Sequence, residues 1–133
     1  MAQHYTQCSE FKKAKLRLQR GLRTLYTQAK TPTRDEEINE RVRAFNKEYH
    51  ERHGYYDLHG MTSDGAEEYV QHILRTMRSR RMRKVKVETG RGNHSKDNIP
   101  RIKNFILTEI HGKCGCSVIP EPHNDGILIL KVN

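Results

Sequence analysis

The sequence predicts an α/β protein, a two-layer α/β sandwich with the order βαβαββ over residues 55–133, preceded by a helical hairpin over residues 1–54. Two patterns predict it. In residues 1–54 apolar residues recur at three- and four-residue steps, whereas residues 55–133 alternate such helical segments with short strand-like runs. Because two helices between four strands cover one face of a sheet well, we expect two layers, with the hairpin covering more.

The predicted hairpin contains two amphipathic helices separated by Thr31-Pro32-Thr33, and Thr33 with Glu36 fits a capping box for the second helix. Gly54 ends that helix, where His50 and His53 suit the helix dipole. This basic segment is either an extension that packs on the α/β part or an arm that binds RNA. The packing extension is favoured, because charged helix faces are usually just solvated. The apolar faces are Phe11, Ala14, Leu18, Leu22, Leu25 and Ala29 in the first helix, and Ile38, Val42, Phe45 and Tyr49 in the second.

From residue 55 onward we expect a strand at 55–58, a helix begun by Thr62, a strand at 84–88 and a second helix from Pro100. A strand at 117–119, a turn over 120–126 and a strand at 127–132 follow. The two βα crossovers should be right-handed and place parallel neighbours, with the final hairpin at one edge of the sheet.

The composition favours a polyanionic partner. The net charge is +9, 34% of residues are hydrophobic and the mean hydropathy is −0.94, so we expect a modest core and a nucleic-acid or acidic-membrane partner. The basic helix has no Trp or Phe face for insertion and no run could span a bilayer, so we expect no membrane association.

Three cysteines and no signal peptide predict reduced thiols in a cytoplasmic protein.

The stretch Tyr55-Tyr56-Asp57-Leu58-His59-Gly60 is the first candidate for chemistry. On a strand, Asp57 and His59 project from one face while Leu58 points into the core. Gly60 lets the chain leave the strand sharply. An exposed, solvated strand end is the alternative that spacing alone leaves open.

The loop Thr89-Gly90-Arg91-Gly92-Asn93-His94-Ser95 is the second candidate. Its glycines permit a nest of N–H groups for an anion, and Arg91 suits bidentate phosphate binding. His94 and Ser95 add a second imidazole and a hydroxyl. Because ligands sit outside the carboxyl ends of parallel strands, both loops should open onto one edge and form one site.

A run of cations ends the first helix of the α/β part. It exceeds what the helix dipole explains, so we expect a phosphate-facing surface. The run comprises Arg75, Arg78, Arg80, Arg81, Arg83, Lys84 and Lys86. The nucleic-acid contacts expected among them are Arg75, Arg78, Arg81, Arg83 and Lys84.

These motifs resemble those of the Smr (small MutS-related) domain family. Tyr56-Asp57-Leu58-His59-Gly60 is similar to its Leu-Asp-Leu-His-Gly signature, with Tyr56 in place of Leu, and residues 89–95 are similar to its Thr-Gly-x-Gly-x-x-Ser signature. The resemblance covers residues 55–133 and is greatest to eukaryotic Smr endonucleases of no-go mRNA decay. It implies a fold similar to the C-terminal domain of translation initiation factor three.

The resemblance also implies an endonuclease that cuts mRNA at stalled or collided ribosomes. The family's Asp-x-His falls on Asp57 and His59, and its glycine-loop arginine falls on Arg91. We expect RNA and the ribosome as partners, a monomeric chain, and nucleic-acid contacts from the second loop and the basic run. The loop contacts are Gly90, Gly92, Asn93 and Ser95.

RNA cleavage needs a base for the 2′-OH, an acid for the leaving 5′ oxygen and cations for the phosphorane. We assign the acid/base role to His59. Arg91 and the amides of Gly90 and Gly92 stabilise the charge of the transition state, and His94 is a second acid/base candidate. Asp57 orients the imidazole or is itself the base. This scheme needs no cofactor.

Two alternatives stay open. One is a metal-dependent DNA-nicking endonuclease in which Asp57 and His59 bind a divalent cation, although no convincing third carboxylate is evident at this edge and such cations bind several oxygen ligands. The other is a non-catalytic module that binds RNA or the ribosome. We also consider the chain as a portion of a larger protein whose other domains select the target.

Overall fold

A computed structural model describes residues 4–90, 101–113 and 115–133. A short 3₁₀ turn (His4–Gln7) precedes α1 (Ser9–Tyr26) and α2 (Pro32–Phe45), which continues through a π turn (Asn46–His50) and a 3₁₀ turn (Glu51–His53). The α/β part comprises β1 (Tyr55–Asp57), α3 (Ser63–Ser79), β2 (Lys84–Glu88), α4 (Arg101–Phe105) with a π turn (Ile106–Ile110), β3 (Cys116–Glu121) and β4 (Asn124–Val132).

The helical hairpin is confirmed, with a different cap. Pro32 occupies the first turn of α2, and the side chain of Thr31, rather than Thr33, accepts the hydrogen bond from the Arg34 N–H. Pro suits a first helical turn because its missing N–H has no partner there, and this moves the cap two residues earlier than the capping-box pattern indicates.

The four strands form one sheet in the order β1-β2-β4-β3. β1 and β2 are parallel, as predicted, but β4 lies antiparallel between β2 and β3, so the expectation of parallel neighbours for the second crossover is wrong. Leu128 and Leu130 of β4 are fully buried, which favours a central strand. Pro120 lacks a ladder donor, which suits β3 for the edge.

The β3–β4 turn is also tighter than predicted. Glu121 pairs with Asn124, so Pro122 and His123 alone connect the strands, and His123 adopts a positive φ of 69°. The ring of Pro122 holds its φ at about −65°, and a positive φ at the residue that follows is what a type II turn requires.

The two-layer architecture is confirmed. One sheet face, with Tyr56, Val87 and Leu130, packs against α3 and the segment 101–110. Leu22 and Ile38 of the hairpin join this same core. The core is therefore continuous from α1 to β4.

The opposite sheet face is covered at β1 by the aromatic residues of the hairpin. The ring of His50 lies 4.9 Å from that of Tyr55, and Tyr5 shares a 2.6 Å hydrogen bond with His50 Nδ1. Burial and the Lys15 charge lower the pKa of His50 to about 4, so this imidazole is neutral at pH 7. His50 therefore does not serve the helix dipole as a cation, contrary to the expectation from its position.

Asn46 attaches the hairpin to the outer edge of β1. Its side-chain N–H donates to the Asp57 carbonyl, and its Oδ1 accepts from the Asp57 N–H, both at 2.9 Å. The fully buried amide thus pairs with Asp57 as a neighbouring strand would. The short strand is held on both sides, by β2 and by this one side chain.

Replacing Asn46 with Ala should destabilise the fold by about 2–4 kcal/mol, because two buried main-chain groups lose their partners and a cavity remains. Urea denaturation measures the change. Asn104→Ala, at an exposed position in α4, is the matched control and should stay within about 0.5 kcal/mol of wild type. Equal effects of the two substitutions would contradict the pairing role.

Candidate active site

The carboxyl ends of β1 and β2 meet at one edge of the sheet. Asp57 and Glu88 are register partners, and the Leu58 N–H donates to the Glu88 carbonyl at 2.8 Å. Leu58 is fully buried, as predicted. The segment 57–60 and the start of the glycine loop at Gly90 consequently leave the sheet side by side.

Asp57 and His59 are linked through a turn rather than through a continued strand. β1 ends at Asp57, and the His59 N–H donates to Asp57 Oδ1 at 2.9 Å. The imidazole is exposed, and Gly60 follows with a φ of 95° that favours glycine. The Asp57 carboxylate is thus held by the main chain of His59, the other residue of the candidate pair.

Gly90 lies directly against the His59 ring. It has a φ of 77°, and a Cβ at this position would lie 3.1 Å from His59 Cδ2. The Gly90 N–H donates to the Gly126 carbonyl at 3.3 Å. In the structure Gly90 permits close approach to the imidazole, while the anion-nest role expected of its N–H stays a prediction.

The hairpin holds the loop between Asp57 and α3 at several points. The Tyr26 hydroxyl donates to the Gly60 carbonyl at 2.6 Å. Asn39 accepts from the Thr62 N–H at 3.0 Å and donates to Thr62 Oγ1 at 2.9 Å, beside the cap that Thr62 provides for α3. Asn39 and Asn46 are two helical turns apart and secure opposite ends of this loop.

Sequence reasoning did not find these asparagines. The available signal was their spacing of seven residues along α2, directly beside the buried positions Ile38 and Phe45. Polar residues bordering a buried stripe need hydrogen-bond partners, but nothing local says that the partners are a strand and a loop.

Glu88 is a second carboxylate at the site, which sequence reasoning did not single out. It is next to Asp57 on the neighbouring strand, and the Tyr55 hydroxyl donates to its Oε1 at 2.5 Å. The signal was that Glu88 ends β2 in the position equivalent to Asp57 in β1. Two carboxylates side by side disfavour a second negative charge.

The electrostatics of Asp57 follow from this pairing. Burial and the Glu88 carboxylate raise the pKa of Asp57 to about 7, while the His59 N–H and the Lys15 ammonium act in the opposite direction. Asp57 therefore retains its proton for part of the time at neutral pH, which an ordinary aspartate does not. Perturbed groups of this kind cluster at functional sites.

Several predicted site residues lie outside the described residues. They are Arg91, Gly92, Asn93, His94 and Ser95. In the described ranges, no group of three His, Cys, Asp or Glu side chains is placed to hold a metal ion.

The basic run occupies a different part of the molecule. α3 starts beside the site at Thr62 and runs antiparallel to β1, so its C-terminal end lies at the amino end of the sheet, about 25 Å away along the helix. The structure does not bring these cations to the Asp57–His59 edge, and their nucleic-acid role stays a prediction. They are Arg75, Arg78, Arg81, Arg83 and Lys84.

Fold and site together define an α/β domain that presents a carboxylate and an imidazole at a strand end, against a glycine loop. The family model of the Smr domain matches residues 56–119, and this part of the chain is an Smr domain. Smr domains are associated with endonuclease activity and with nucleic-acid binding.

Neither a search of curated proteins nor one of solved structures finds a match. The likeness to the C-terminal domain of translation initiation factor three therefore stays a prediction. Of the helices in the described ranges, none has the length and apolarity needed to cross a bilayer.

Replacing Asp57 with Asn should stabilise the protein at neutral pH. A carboxyl group with a raised pKa stabilises the fold below its ordinary pKa of 3.8, and that stability is lost as the pH rises toward about 7. Asn keeps the acceptor for the His59 N–H without the charge. The melting temperature should rise by about 3–8 °C at pH 7.5 and change little at pH 4.

Glu109→Gln removes an exposed carboxylate of α4's π turn and is the control for this change. Its melting temperature should follow that of the wild type at both pH values. A stabilisation by Asp57→Asn of the same size at pH 4 and pH 7.5 would show that the effect is not the Asp57 titration.

Proposed function

We propose that this protein is an endoribonuclease that cleaves mRNA at stalled or collided ribosomes in the cytoplasm, without a metal. The observation that carries the proposal is the placement of Asp57 and His59 against Gly90 at the strand ends of an Smr domain. The net charge of +9 supports a nucleic-acid substrate. The ribosome and the no-go pathway come from the resemblance of the two motifs.

In the proposed reaction, the exposed imidazole of His59 takes the proton of the 2′-OH, and the 2′ oxygen attacks the adjacent phosphorus. The bond from phosphorus to the 5′ oxygen breaks. Asp57 supplies the proton for that oxygen, a role that its raised pKa supports. Arg91 and the glycine loop stabilise the charge of the phosphorane. The products are a 2′,3′-cyclic phosphate and a 5′-hydroxyl.

Assigning Asp57 as the acid changes its role from the one that sequence spacing allows and leaves the roles of the glycine loop as predicted. An Asp57 that retains its proton is a donor at neutral pH, in place of the base or orienting group that sequence spacing allows. His94 remains the alternative acid/base group from the glycine loop, and Gly92, Asn93 and Ser95 are proposed as contacts to the RNA backbone.

A metal-dependent endonuclease is the second candidate because Glu88 lies beside Asp57. Two neighbouring carboxylates supply oxygen ligands of the kind that divalent cations bind. This mechanism hydrolyses the phosphodiester with water, so it acts on DNA as well as RNA and can leave 5′-phosphate ends.

His59→Gln should lower RNA cleavage at least about 100-fold, because it removes the proposed base while retaining a polar side chain. His72→Gln, at an exposed position in α3, is the matched control and should cleave as the wild type does. The assay uses end-labelled RNA with a DNA copy of the same sequence, and it maps both new ends.

The same assay with excess chelator separates the candidates. Cleavage that persists and leaves cyclic phosphate with 5′-hydroxyl ends supports the proposed mechanism. Loss of all cutting, 5′-phosphate ends or equal cutting of DNA favours the metal-dependent enzyme. Tight RNA binding with no cleavage by the wild type would identify a binding module instead.

A further inference from the structure

The outer surface of α1 is strongly basic. The helix carries six basic residues and one acidic residue, Glu10. Among the described residues, none of these six cations has a carboxylate within 4 Å, so their charges are not neutralised by ion pairs. The cations are Lys12, Lys13, Lys15, Arg17, Arg20 and Arg23.

One side of α1 adjoins the candidate site. Tyr26 donates to the Gly60 carbonyl, and the Leu22 side chain lies 3.0 Å from where a Gly60 Cβ would be. Lys15 acts electrostatically on Asp57. The two contacts at Gly60 fix which face of the helix looks toward the 57–60 loop, and Lys15 lies on that same face.

The cations divide into two sets around the helix axis. At 100° per residue, Lys12 and Arg23 lie next to Lys15 and Tyr26, on the side that adjoins the site. Lys13 and Arg20 lie about 60–100° further round the helix than Lys12 and Arg23, away from the site. The cations of both sets are exposed, whereas Lys15 is half-buried.

We propose that Lys12, Lys15 and Arg23 form a track on α1 that binds the phosphate backbone of single-stranded RNA as it leaves the Asp57–His59 edge. The track is about 16 Å long, from the eleven residue steps between Lys12 and Arg23. The inference rests on the proposed RNA substrate and adds the direction in which the strand runs. A line of cations that follows the backbone is how single strands are bound without sequence preference.

The position of the other basic surface favours this assignment. The cations at the end of α3 are about 25 Å from the site along that helix, at the opposite end of the sheet. α1, in contrast, is hydrogen-bonded to the loop that carries His59. A strand held at the site meets the α1 cations before it can reach those of α3.

The test compares two double variants that each remove one Lys and one Arg from exposed positions of the same helix. Lys12→Gln with Arg23→Gln changes the track, and Lys13→Gln with Arg20→Gln changes the far side. Lys15 is kept in both, because its charge also acts on Asp57. A third variant, Arg75→Gln with Lys84→Gln, removes the same charge at the end of α3.

Binding of a labelled, 2′-O-methylated single-stranded RNA is measured by fluorescence anisotropy as a function of salt. This RNA has no free 2′-OH, so binding is measured apart from cleavage. The track variant should bind about tenfold more weakly, and the slope of log K against log salt should fall by about 1.4, for two lost phosphate contacts. The far-side variant should change affinity less than about threefold, and the loss in the α3 variant should be smaller than that in the track variant.

Equal losses in the track and far-side variants, or a larger loss in the α3 variant, would overturn the track. Circular dichroism and melting curves verify that each variant is folded. If the wild type binds this RNA but fails to cut its unmodified form, the endonuclease proposal fails while the binding comparison still decides the track.

Discussion

The paired hydrogen bonds between the Asn46 side chain and the main chain of Asp57 are the constraint on which the site depends. β1 has only three residues, so β2 alone gives it few ladder bonds. Asn46 supplies the missing neighbour from the hairpin. It also occupies N–H and C=O groups that an exposed edge strand would otherwise offer to another chain. The position of the Asp57 carboxylate is thus fixed by a residue from outside the matched Smr segment.

Two buried titratable groups near this edge oppose each other in their dependence on pH. His50, with a pKa lowered to about 4, makes the fold lose stability as the pH falls below 6.5. Asp57, with a raised pKa, makes it lose stability as the pH rises from 3.8 toward 7. The two effects offset one another across the same interval. The fold can therefore contain an unfavourable carboxylate without a steep overall pH dependence.

Sequence reasoning recovered what depends on local pattern and on one topological rule. The helices follow from apolar spacing, and Asp57, His59 and Gly90 come together because parallel strands end at the same edge. Thr62 was found because a cap acts within three residues. The central place of β4 was missed because the choice between β3 and β4 as the neighbour of β2 depends on burial across the whole sheet. Asn46 and Glu88 were missed because their partners lie far away in sequence or on another strand.

The bond between Tyr26 and Gly60 has a consequence for how this protein can vary. These two residues are 34 positions apart, and the Smr match begins at residue 56. A substitution in α1 can therefore shift the loop that carries His59 without altering either family signature. Comparison of the signatures alone would class such a chain as unchanged, although its 57–60 loop had moved. The structural unit that positions this loop is larger than the segment by which the family is recognised.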